Sequence, residues 1–171
     1  DLQSYSKTCQ DLRRKMKNYL RNRLKPYPFL RPFFSLSEWS RFQVFQASSG
    51  LLISGSVALQ LFNWEYDPNS SLDLYLEKTY TYEFVQWLYV IGYKDFSAPI
   101  NIQTASNVSR PLCQVGDLTL CLFKKPLGAR KIRVFSVDGP PLAAILSFHN
   151  TCFMNIITYS GAYSLFPKAT F

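Results

Sequence analysis

The chain has 171 residues, 47% apolar and 18% charged, with 19 Lys and Arg against 11 Asp and Glu for a net charge of +8. That length suits one domain, or one domain with an arm, and the apolar share excludes wholesale disorder. A single histidine, four scattered cysteines without a C-x-x-C pair, and no long apolar run argue against a His-pair metal centre, a structural zinc site and a membrane-spanning helix. The charge is unevenly placed. Residues 1–35 hold nine basic groups against Asp1 and Asp11, a net of +7, while residues 36–171 are nearly neutral at +1. The expected organisation is a basic helical arm with a Pro/aromatic connector over 1–35, then one domain over 36–171. The chain starts at Asp1 with no charged-then-apolar leader, which reads as a processed or trimmed product.

The first predicted element is a helix in the arm. Leu12, Met16, Tyr19, Leu20 and Leu24 recur at helical spacing, Ser6 or Thr8 is the candidate cap, and Pro26 and Pro28 end it. Arg13, Arg14, Lys17 and Arg21 are its candidate phosphate contacts. They suit nucleic acid, nucleotide or an anionic membrane, and equally the solvated face of a docked helix. The segment Tyr27 to Phe34 reads as an extended, packed connector. Leu36 to Ser48 is a helix with Ser37 as candidate cap and Gly50 as its stop. Leu51 to Ile53 is a short apolar stretch, Ser54-Gly55-Ser56 a turn, and Val57 to Phe62 a short helix.

The segment Leu72 to Leu76 reads as a strand, with Leu72, Leu74 and Leu76 on one face and Ser71, Asp73, Tyr75 and Glu77 on the other. A helix over Tyr82 to Ile91, a strand at 100–104, and a hairpin of Pro111 to Val115 with Leu118 to Lys124 follow. Arg130 to Val137 is a further strand, and Leu142 to Thr158 reads as one strongly apolar helix. The fold class is α/β, a mixed sheet with helices packed on it.

The turn L-L-I-S-G-S at 51–56, opening a helix, with S-L-D-L-Y-L at 71–76 behind it, resembles the signature of the DNA polymerase beta-like nucleotidyltransferase superfamily. The runs LLISGSVALQLF, SSLDLYLE, RKIRVF, PLAAILSFHNTCFMNIIT and AYSLFPKATF look like an expanded group of uncharacterised fungal proteins with a nucleotidyltransferase-like core. The resemblance implies that Gly55 and Ser56 hold a phosphate, because glycine admits close backbone approach and a helix start favours anions. It implies carboxylates on one strand face holding Mg²⁺, with Asp73 as catalytic and metal-binding residue if the protein is active.

Two positions depart from that pattern. Ser71 stands where the first Asp of Asp-x-Asp belongs, and Arg133 stands where the third carboxylate belongs. Asp67, Glu77, Asp117 and Asp138 are the substitutes weighed, and none is a natural replacement. Asp73 is then either a metal ligand or a strand carboxylate paired with a nearby Arg or Lys. Arg130, Lys131 and Arg133 are an exposed strand edge or a basic cleft that binds phosphate without a metal. Tyr75 and Trp87 are packing residues or base-stacking platforms. His149 reads as a helix residue and the cysteines as buried small apolar groups. Asn69-Ser70-Ser71 and Asn107-Val108-Ser109 match the glycosylation acceptor pattern, which arises often by chance.

The favoured expectation is a nucleotidyltransferase-fold protein with a degenerate metal site that binds nucleic acid or nucleotide. An active Mg²⁺-dependent nucleotidyltransferase, acting on RNA, protein or a small molecule, is the alternative. A secreted or host-directed interaction protein that uses the fold as a scaffold is the second.

Overall fold

The computed structural model describes residues 9–95, 119–126, 128 and 130–171. The expected caps at Ser6 and Thr8, the strand at 100–104, the first strand and turn of the 111–124 hairpin, Asp117, Cys113 and the Asn107 triplet lie outside those residues. The architecture is α/β. Helix α1 (Gln10–Arg23) is the basic arm, and a helical turn α2 (Tyr27–Leu30) follows it. Then come α3 (Leu36–Ser49), β1 (Leu52–Ser54), α4 (Gly55–Asn63), β2 (Leu72–Glu77) and α5 (Lys78–Val90). The strands β3 (Lys94–Asp95), β4 (Thr119–Lys124) and β5 (Lys131–Val137) precede α6 (Pro141–Leu146). The chain closes with a 3₁₀ turn (Thr151–Phe153), β6 (Asn155–Ile157), β7 (Ala162–Ser164) and α7 (Pro167–Thr170).

Among the described residues, seven strands form one sheet in the order β3-β4-β5-β2-β1-β6-β7. Of these strand pairs β2 and β5 run parallel, and the other neighbouring pairs among the described residues are antiparallel. Period-two alternation sends Leu72, Leu74 and Leu76 to one face, where they meet Ile132, Val134, Phe42, Phe84 and Leu88 in the larger core. Tyr75, Val137 and Ile156 go to the other face, under Ala144 and Ile145 of α6. Helices therefore cover both faces.

The connector belongs to the larger core, because Leu30, Phe33 and Phe34 are essentially inaccessible. Phe34 stacks on Phe42 at 4.9 Å, and the Tyr93 hydroxyl donates to the Phe33 carbonyl at 2.7 Å. The segment is not extended throughout, since Tyr27 to Leu30 makes a helical turn with Pro28 in its first positions.

Helix α3 starts one residue before the predicted cap. Ser35 accepts from the Glu38 amide and Glu38 accepts from the Ser35 amide, a reciprocal capping box. Gly50 ends it in the left-handed conformation (φ 69°). The α1 cap is Cys9, whose sulfur accepts from the Leu12 amide at 3.4 Å. Helix α5 begins at Lys78, directly after β2, four residues earlier than its apolar pattern suggests.

The stretch 142–158 is not one helix. Helix α6 stops at Leu146, where the Ser147 hydroxyl turns back onto the Ala144 carbonyl at 2.7 Å. Asn150 then caps the 3₁₀ turn by accepting from the Cys152 amide. The β-branched pair Ile156-Ile157 joins the sheet beside β1. His149 is consequently an exposed loop residue, not a helix residue.

Candidate functional site

The site begins at the junction of β1 and α4. Ser54 ends β1 and its hydroxyl donates to the Phe153 carbonyl at 2.5 Å, so it faces the protein interior. Gly55 opens α4 with φ +74°, a conformation that disfavours any side chain. Space forbids one too. A Cβ there would overlap an Asp73 carboxylate oxygen and approach Asp73 Cγ to 3.1 Å. Helix α4 thus starts directly against the Asp73 side chain. Ser56 reaches back to the Ser71 carbonyl at 3.4 Å, tying the helix start to the beginning of β2.

Asp73 lies on the face opposite Leu72 and Leu74 and is 3% exposed. Parallel pairing places it in register with Arg133 on β5. The two side chains meet in a fork-to-fork pair, Nε to Oδ1 at 2.6 Å and Nη2 to Oδ2 at 2.6 Å. Both carboxylate oxygens are therefore engaged by one guanidinium. The carboxylate is enclosed while the Arg133 side chain is 40% exposed, so the guanidinium is the solvent-facing partner. It stands 6.0 Å from the Phe135 ring centre, and Phe135 stacks on Tyr75 at 4.6 Å.

Burial pushes the Asp73 carboxyl up from its ordinary value of 3.8, against the pull of the Arg133 hydrogen bonds and charge. Burial opposes the charge of Arg133, and the hydrogen bonds and charge of Asp73 outweigh it, so its pKa is raised. The geometry reads as an ion pair, and the strong, short bidentate contact is what keeps a carboxylate tolerable in this place.

This arrangement does not fit a divalent cation. Mg²⁺ needs several oxygens at ~2.1 Å in octahedral order. Here a guanidinium already binds both oxygens of Asp73, and Ser71 supplies no carboxylate. Among the described residues no three His, Cys, Asp or Glu side chains converge. Glu77 lies opposite Val137, at the other end of the β2–β5 pair from Asp73. Asp138 pairs with Lys78 at 3.8 Å, and the Asp67 carboxylate accepts from the Asn69 amide in the α4–β2 loop.

The other predicted residues are dispersed. Arg13 and Lys17 are exposed on α1, Arg14 is engaged by Asp11 at 2.6 Å, and Arg21 lies in the same helix. Tyr75 is buried against Phe135 and Phe148, which makes it a packing residue. Trp87 packs against Phe34, Phe42 and Phe84. The cysteines are not a buried apolar set: Cys9 is exposed, and Cys121 and Cys152 are half-buried free thiols.

Sequence reasoning passed over a cluster around the α4–β2 loop. Arg23 sits over the Trp64 ring at 4.9 Å, and Tyr19 meets the same ring edge-on. Arg130 lies 5.3 Å from the Tyr66 ring centre, donates to the Tyr66 hydroxyl, and donates to the Asp67 carbonyl at 3.2 Å. The available signal was the N-W-E-Y-D run between α4 and β2, two aromatics in an otherwise polar loop. No family model, curated protein or solved structure matches the chain.

Proposed function

We propose that this chain is a nucleotidyltransferase-fold protein whose metal site is replaced by an internal ion pair, and that it acts by binding nucleic acid or nucleotide through basic surfaces. The observation that carries the reading is the Asp73–Arg133 fork. It sits against Gly55, where the resemblance would put the metal and the phosphate, and it supplies there a neutral ion pair whose arginine is the more exposed partner. The solvent-facing guanidinium, the α4 start at Gly55-Ser56, and Ser71 beside it form a metal-free phosphate cradle, since arginine and helix-start amides both favour phosphate oxygens. The exposed Arg13 and Lys17, with Arg14 and Arg21 on the same helix, add long-range attraction for a polyanion.

The test combines binding and turnover. The protein is titrated with labelled RNA, DNA and each NTP at several salt concentrations, with and without Mg²⁺. The expected outcome is metal-independent binding that weakens with salt, in proportion to the phosphates neutralised. The Arg13→Ala, Lys17→Ala, Arg21→Ala triple variant should bind more weakly and with a shallower salt slope. The protein is also incubated with each labelled NTP plus Mg²⁺ or Mn²⁺. Transfer of label to RNA, protein or a small molecule, lost in Asp73→Ala, would establish the active enzyme instead. No binding of any nucleic acid or NTP at low salt would remove both readings and leave the scaffold.

A further inference from the structure

We infer that the surface built by the C-terminal half of α1, the α4–β2 loop and the start of β5 is a stacking platform for single-stranded nucleic acid. The inference deepens the binding function proposed above and rests on it. Three aromatic rings from two separate segments are exposed there: Tyr19 at 47%, Trp64 at 42% and Tyr66 at 54%. They are not loose. Tyr19 and Arg23 lie one helical turn apart, so both reach Trp64 from α1. Tyr66 is held by Arg130, which also braces against the buried Phe33 ring at 5.7 Å and the Asp67 carbonyl.

The backbone holds Trp64 in an unusual way. Trp64 caps α4 in the left-handed conformation, φ +57°, and is the one non-glycine residue with positive φ among those described. A bulky residue there carries a conformational cost that Asn or Gly would not. The fold thus spends stability on projecting an indole at the surface, which core packing does not require.

The charge fits one kind of occupant. Helix α1 carries Arg13, Arg14, Lys15, Lys17, Arg21 and Arg23 against Asp11 alone, with Arg130 just before β5 and Lys131 at its start. The loop itself contributes Glu65 and Asp67. Cations held over aromatic rings, with further cations along the adjoining helix, match a flexible phosphate backbone whose bases are free to stack. A duplex keeps its bases stacked on each other and offers the rings only its phosphates.

The experiment measures fluorescence anisotropy of labelled 20-nucleotide single strands and the matching duplex, for the whole chain and three variants. Trp64→Asn removes the ring while suiting the left-handed backbone. Tyr66→Ala removes the second ring, and Tyr66→Phe keeps that ring but removes the hydroxyl that Arg130 contacts. Single strands should bind at least about 5-fold more tightly than duplex, and Trp64→Asn and Tyr66→Ala should each lose about 5- to 100-fold of single-strand affinity. Tyr66→Phe should bind like the parent. Tryptophan emission should be quenched by the single strand in the parent and not in Trp64→Asn. Equal affinity for duplex and single strand, or binding untouched by both ring deletions, would overturn the platform while leaving the general binding function standing. Binding of anionic phospholipid vesicles with no nucleic acid bound would overturn both.

Discussion

Replacing Arg133 by Met should destabilise the protein more than replacing Asp73 by Asn, although both break the same ion pair. The asymmetry follows from exposure: the Asp73 side chain is 4% exposed and that of Arg133 is 40%. Methionine keeps much of the packing of the arginine stem and removes the charge. It leaves a buried carboxylate without its guanidinium, a change that costs about 3–5 kcal/mol when both ions are fully buried. Water reaches part of Arg133, so about 3 kcal/mol is expected. In Asp73→Asn the guanidinium keeps its access to water and the amide oxygen still accepts one hydrogen bond, so about 1–2 kcal/mol is expected. Urea denaturation at pH 7 measures both values. The pH dependence is a second check. Burial already pushes Asp73 upward against the pull of Arg133. Without that pull the folded carboxyl holds its proton more tightly still. A raised carboxyl favours the folded state as pH falls, so the deficit of Arg133→Met against the parent is full at pH 7 and shrinks on acidification. A cost below about 1 kcal/mol, or a deficit that grows in acid, would refute the ion-pair reasoning.

Gly55→Ala should cost about 2 kcal/mol or more, because φ is +74° and the new methyl meets the Asp73 carboxylate. Gly50→Ala, also at positive φ but with open space around it, should cost only about 1 kcal/mol; equal costs in urea melts would contradict the close approach. Burial pushes Glu38 up, but hydrogen bonds from the Ser35 amide and hydroxyl and the charge of Lys125 outweigh it and hold its carboxyl below 4.5. Its contribution is therefore present above pH 4.5 and lost as pH falls through the folded value. Glu38→Gln should cost about 1 kcal/mol at pH 7 and nothing at the acid end of a pH series of denaturation midpoints. Tyr93→Phe should cost about 1–2 kcal/mol by thermal or urea melting, since it strips the buried Phe33 carbonyl of its donor.

How much was legible follows from how local each signal is. The β2 alternation was readable because strand period is a local property, and Leu72, Leu74 and Leu76 do share the core face. The stop at Gly50 was readable for the same reason. The run from Leu142 to Thr158 was not, because a dense apolar stretch has no period to separate helix from strand. Its division depends on the Ser147 and Asn150 hydrogen bonds and on β1 offering an edge to Ile157. At the site, sequence reasoning named both Asp73 and Arg133 but held a metal ligand and an ion pair as alternatives. Which of them applies depends on strand register between residues sixty positions apart. The Trp64–Arg23 and Tyr66–Arg130 contacts were hidden in the same way, being tertiary pairs with no spacing rule.

The ion pair on β2 and β5 ties several positions together. A cleft that holds Mg²⁺ against phosphate needs local anions, and the cation is a removable part. At Asp73 the counter-ion is a side chain of the protein itself, Arg133. Arg133 is fixed by the β2–β5 register, oriented by Asp73, and backed by Phe135 and Tyr75. Gly55 is then constrained by the same carboxylate, since the α4 start can approach it only without a side chain. Ser71, Gly55, Asp73 and Arg133 thus form one interdependent unit. Placing a carboxylate at position 133 would set a half-exposed anion beside the buried Asp73, with the arginine that neutralises Asp73 removed. An Arg133→Asp change alone would therefore lower stability. The carboxylate of Asp73 and the glycine at 55 therefore depend on Arg133 remaining an arginine.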